Sequence, residues 1–203
     1  MTDEVRRQGL LDRVLGAYWD FSGSMRRLLA DRPSEATLLS FLLVASLIRY
    51  FGQVIEIYGD LAAAGPIDPR AFQTQVGESF VGAVFLAPLA VYVVAAIAKP
   101  IAELFGGTGD WFATRAAFAW AYLVTAPLLL ARAGLDAVAT ALGAPGEAIV
   151  ALALAFGALG LYVLSACLGA AHGFASPRRT ALAIGGAVIA IGGLLAALGA
   201  GGV

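Results

Sequence analysis

The sequence predicts an all-α polytopic membrane protein, a bundle of five transmembrane helices preceded by an amphipathic helix, and three observations carry that prediction. The 203 residues are 60% hydrophobic and only 13% charged, with a mean hydropathy of +0.84; a soluble domain is about half apolar and a quarter charged. Apolar runs recur along the chain, each close to the twenty or so residues whose rise of 1.5 Å apiece makes about 30 Å, the thickness of a hydrocarbon core. Between them stand Gly, Pro, Ser and Asp clusters that read as turns.

Residues 1–36 form the expected cytoplasmic segment and residues 37–203 the transmembrane domain. Within the former, Leu11, Val14, Leu15, Tyr18, Met25, Leu28 and Leu29 recur at near-helical spacing, with Arg6, Arg7, Arg13, Arg26 and Arg27 elsewhere. That pattern predicts an interfacial amphipathic helix, with a break at Ser22-Gly23-Ser24. It serves either membrane-surface or partner binding, or docks on the protein's own cytoplasmic face, and the acids Asp3, Glu4, Asp12 and Asp20 blunt any pull toward anionic lipid.

Asp31-Arg32-Pro33-Ser34-Glu35 is a helix start, and span one follows over about Thr37–Tyr58. Asp68-Pro69 starts a short surface helix leading into span two, about Phe80–Phe105. Pro88 lies inside that span, where a membrane helix kinks and neighbours satisfy the freed carbonyl. Gly106-Gly107-Thr108-Gly109-Asp110-Trp111 is a tight reversal ending in an interfacial aromatic. Spans three, four and five are expected over about Ala113–Ala131, Ala148–Ala171 and Ala181–Gly199, with Gly143-Ala144-Pro145-Gly146 and Ser176-Pro177 as the intervening breaks. The first span acts as an uncleaved insertion signal, since no short h-region with a small-residue cleavage site precedes it.

Five spans put the termini on opposite sides. With the amino terminus in the cytoplasm, Arg6, Arg7, Arg13, Arg26, Arg27, Arg32, Lys99, Arg115, Arg178 and Arg179 all fall inside, and only Arg70 and Arg132 fall outside. The positive-inside rule therefore predicts a cytoplasmic amino terminus and a carboxy terminus on the opposite side of the membrane.

Arg49 falls near the middle of span one, where exposure of its charge to lipid costs about 3 kcal/mol or more. Gln53 and Glu56 follow four and seven residues on, so the three share one helix face, and Glu56 or a carboxylate from another span is the expected counter-ion. The cluster serves as a buried pair that fixes helix register or as an ion relay; with no other ionisable group at this depth, the structural use is favoured. Lys99 and Glu103, four apart, are read as a pair of interfacial snorkelling anchors at the cytoplasmic turn, close to Arg115. His172, without a second histidine or cysteine nearby, is a poor metal ligand candidate, and Cys167 is expected to behave as a small hydrophobe. Gly185, Gly192 and Gly199 repeat every seven residues in span five, and Ala153 and Gly157 stand four apart in span four. Such small-residue faces let helix backbones approach, within the bundle or in a homo-oligomer.

No HExxH, GxSxG or P-loop occurs, so no enzymatic chemistry, cofactor or metal is expected. A net charge of −1 gives no basic field for nucleic acid. The expected partners are the lipid bilayer and a membrane or cytoplasmic protein.

The amphiphilic amino-terminal segment, the Arg32-Pro33 lead-in to span one and the block from Gly82 to Leu130, GAVFLAPLAVYVVAAIAKPIAELFGGTGDWFATRAAFAWAYLVTAPLLL, resemble bacterial members of the Yip-one domain family over about residues 25–200. The resemblance implies a five-span bundle with a cytoplasmic amino terminus. Eukaryotic members are Golgi and endoplasmic-reticulum proteins that bind Rab-type GTPases and shape or sort vesicle membranes, but this chain lacks their DLYGP-type motif. The function expected is a non-enzymatic membrane organiser or protein-interaction scaffold. The alternatives are a small transporter or channel subunit using the Arg49, Gln53 and Glu56 face, or an accessory subunit of a larger membrane complex.

Overall fold

A computed structural model describes residues 9–174 together with Ser176 and Thr180. The expected fifth span, with Gly185, Gly192 and Gly199, lies outside the described residues. Among the described residues the chain is helical and has no strand. In order, α1 spans Leu10–Ala17, α2 Phe21–Asp31, α3 Glu35–Ala64 and α4 Pro69–Val81; a π-helical turn, Gly82–Leu86, leads without interruption into α5, Ala87–Leu104, and α6, Trp111–Ala141, and α7, Gly146–His172, follow. Among the described residues four segments are long and apolar enough to cross a membrane: α3, the continuous rod Pro69–Leu104, α6 and α7.

Several expected boundaries move. The surface helix expected before span two is not separate, because α4 continues through the π turn into α5. Pro88 explains the π turn: it has no N–H for the carbonyl of Val84 and its ring crowds that carbonyl, and the widened turn just before it, closed by the Ala87 N–H on the Gly82 carbonyl, absorbs the mismatch. The amino-terminal break falls at Tyr18–Asp20 rather than at Ser22–Ser24. Asp20 is the reason, since its carboxylate accepts the Gly23 N–H at 2.7 Å and so caps α2, drawing Ser22 and Gly23 into the first turn.

The other helix starts are set by the same chemistry. Ser34 accepts the Thr37 N–H at 3.2 Å, Asp68 the Arg70 N–H at 3.0 Å, and Asp110 the Ala113 N–H at 2.7 Å. Reversal between α2 and α3 uses Arg32 in the left-handed region, φ 44°.

Helix α6 is the centre of the bundle, packed by α3, α5 and α7. Its buried face is mostly alanine, Ala113, Ala116, Ala117, Ala119 and Ala126, with Trp120 and Val124 between. In a bilayer, association gains little from the hydrophobic effect and depends on close packing, which small side chains permit. Trp120 fills the gap they leave: it is fully buried, lies against Phe41 with centroids 5.7 Å apart, and donates its indole N–H to Ser24 Oγ at 3.0 Å. That last bond belongs to α2, so the amino-terminal helices are part of the packed body rather than an appendage.

Candidate functional site: an intramembrane chamber at Arg49

Arg49 stands fourteen residues into α3, about 21 Å from its start at 1.5 Å per residue. It lies at the base of a chamber of about 520 Å³ between α3, the π turn and α6. Gln53 and Glu56 line the same chamber, so the structure brings the three sequence-predicted residues to one wall. Asp60, Ser79, Tyr122 and Arg132 complete its polar lining, while Gly82, Ala83 and Ala87 provide the opposite wall. The small side chains at the π turn leave the space that a larger residue would fill.

The expected counter-ion is corrected. Glu56 pairs with Arg132 of α6, and Arg132 also reaches Asp136 at 3.1 Å. Glu56 in α3 and Arg132 in α6 each lie twenty-one residues from their helix starts, about 31 Å along, so this charge network forms the rim of the chamber and Arg49 its floor. Arg49 instead donates from Nη2 to Thr125 Oγ1 at 2.8 Å and lays its guanidinium over the Tyr122 ring, 3.9 Å from the centroid. Thr125 can accept because its own proton goes to the Ala121 carbonyl at 2.8 Å. Among the described residues no carboxylate lies within ion-pair distance of Arg49, and its Nε is buried without a hydrogen-bond partner. Residues 175–203 contain no Asp or Glu side chain.

On its far side Arg49 borders a second space of about 240 Å³, lined by Val91, Phe118, Leu128, Phe156, Gly157, Gly160 and Leu164. The guanidinium thus divides a polar chamber from an apolar slot. Gly157 lines that slot, and a Cβ added there meets nothing within 4 Å.

The Gly106–Trp111 turn is built around His172. Thr108 donates its N–H to the His172 carbonyl at 3.0 Å. Thr114 donates its hydroxyl to the Asp110 carbonyl at 3.0 Å, so it accepts from His172 Nε2, also 3.0 Å away, which leaves Nδ1 as a buried lone pair with no partner among the described residues. Gly107 and Gly109 press against that nitrogen: a Cβ on either would come within 2.9 Å of Nδ1. Gly106 turns the chain at φ 82°. His172 is therefore a packing element of the turn, stacked on Phe174 at 5.8 Å.

Lys99 and Glu103 form the expected ion pair, but Lys99 does not snorkel. It is 6% exposed, with Nζ 5.4 Å from the Trp111 ring centroid. Arg115 pairs across the bundle with Glu35, which also accepts from the Tyr92 hydroxyl at 3.1 Å, tying the starts of α3 and α6 to α5. Periodicity carries no signal for Tyr122, Thr125 or Asp136; the available clue was a threonine and a tyrosine in an apolar run just ahead of Pro127.

Long apolar helices, a charged chamber at mid-span and a reversal sealed by glycines define a polytopic α-helical membrane protein. The Yip1 domain matches residues 21–198, and the chain belongs to that family. No curated protein and no solved structure matches it.

Proposed function

We propose that this chain is a non-enzymatic organiser of a bacterial inner membrane, amino terminus in the cytoplasm, that acts by holding the anionic headgroup of an amphiphile at Arg49. The observation that carries this reading is a cation at mid-span whose charge no described carboxylate neutralises, facing a chamber on one side and an apolar slot on the other. A buried guanidinium is costly until it is paired, and a phosphate or carboxylate with an alkyl tail supplies both the charge and the chain that the slot would take. The rim network of Glu56, Arg132 and Asp136 is internally paired and so leaves Arg49 as the open position.

The test is native mass spectrometry of the gently solubilised protein. Retained anionic lipid or fatty acid is expected with the wild type and lost with Arg49→Gln, while Gln53→Ala retains it. Equal retention by Arg49→Gln would overturn the reading. The transporter reading draws on the same chamber, whose acids Glu56 and Asp60 lie toward one end of α3; it requires solute or ion flux in liposomes that Arg49→Gln abolishes.

A further inference from the structure

Three contacts place the amino-terminal helices at depth. The Tyr18 hydroxyl donates to the Val124 carbonyl at 2.8 Å, Ser24 Oγ accepts from Trp120, and the Phe21 ring meets Tyr162 of α7 with centroids 6.1 Å apart. Val124 is thirteen and Trp120 nine residues into α6, and Tyr162 ten residues from the end of α7, so these contacts lie about 13–20 Å along the spans from the end that carries the Gly106–Asp110 turn. A bilayer with its headgroups is about 40–45 Å thick. The other end of the helix pair stays at the surface, where Arg13 pairs with Asp31 at 2.8 Å.

The sequence agrees with that placement. From Val14 to Met25 the only charge is Asp20, while Asp12, Arg13, Arg26 and Arg27 flank the run. Asp20 itself sits at the amino-terminal end of α2, where the helix dipole and the Gly23 N–H favour its negative charge. One face of the pair, Val14 and Ala17, is buried against the bundle, and on the opposite face Leu11 is 70% exposed, Leu15 52% and Trp19, at the tip, 93%, with the carboxylates of Asp12, near the surface end, and Asp20, at the tip, exposed beside them.

We infer that α1 and α2 form a re-entrant hairpin seated within one leaflet, its Leu11, Leu15 and Trp19 face in contact with lipid acyl chains. The occupant follows from depth, because what surrounds a transmembrane bundle beside Val124 and Tyr162 is hydrocarbon, and this face continues the apolar girdle of the spans. The hairpin fills cross-section in one leaflet and none in the other. It does not depend on what Arg49 binds.

The experiment uses the full chain in phosphatidylcholine–phosphatidylglycerol vesicles, with Cys167→Ser and a spin label at Trp19→Cys or, as a second variant should the first not fold, at Leu15→Cys. Collision with oxygen is compared with collision with a water-soluble nickel chelate, and a label at Phe105→Cys, in the exposed turn, marks the surface. The oxygen-to-nickel ratio is expected to be several-fold higher at the hairpin than at the turn. Equal ratios would overturn the proposal in favour of a helix lying at the interface. Strong dipolar broadening between hairpin labels would overturn it in favour of a second copy of the chain covering the face.

Discussion

Arg49 of α3 and Thr125 of α6 are joined by a 2.8 Å hydrogen bond at the middle of the bundle, one residue from the Val124 carbonyl that receives the Tyr18 hydroxyl. Both bonds fall in the turn that Pro127 disturbs, since Pro127 cannot donate to the Leu123 carbonyl and its ring opens the ladder there. One irregular turn of α6 therefore anchors both α3 and the amino-terminal hairpin.

Thr125→Val keeps the shape and removes the acceptor, leaving Nη2 of Arg49 unpaired at mid-span. A loss of about 1–3 kcal/mol is expected in detergent unfolding. Thr125→Ser, which keeps the hydroxyl, is expected to stay within about 1 kcal/mol of the wild type, and equal losses for the two would place the effect in packing rather than in the bond.

Tyr18→Phe deletes one neutral hydrogen bond and leaves the ring in place, for an expected cost of about 1 kcal/mol. Hydrogen exchange is the more telling measurement: amides of α1 and α2 should exchange faster in the variant, with those of α7 unchanged.

Gly107→Ala and Gly109→Ala drive a methyl into His172 and the backbone beside it. Each should cost about 1–3 kcal/mol through overpacking. Gly77→Ala, in α4 where an added Cβ meets nothing, is the control and is expected to be neutral or to stabilise by up to about 1 kcal/mol.

The Glu56–Arg132 pair is partly open, with 38% and 24% of the side chains exposed, so solvent screening limits it. A double-mutant cycle with Glu56→Gln and Arg132→Gln should return a coupling of about 1 kcal/mol or less. A coupling near zero at low salt would mean that Arg132 is held by Asp136 alone.

Much of the fold was legible in the chain because a bilayer imposes length and apolarity on every span, and those are linear properties of sequence. The four described spans, the helix starts at Asp31–Glu35 and Asp68-Pro69 and the glycine reversal follow from that constraint and from local hydrogen bonding. Helix periodicity likewise put Arg49, Gln53 and Glu56 on one face, and they line one chamber.

Partnership was not legible, because it depends on which helices become neighbours. Glu56 lies within two turns of Arg49 on its own helix, yet Arg132, seventy-six residues away, is closer to it in space. Lys99 reads as a surface anchor until Trp111 folds over it. The amino-terminal helices read as interfacial because amphipathicity reports a face and not a depth, and only the contacts of Tyr18 with Val124 and of Trp120 with Ser24 place them within the bundle. Sequence by itself determined the spans and their polar faces through local periodicity; tertiary packing decided which charge meets which, and left Arg49 facing a hydroxyl, a ring and an open chamber.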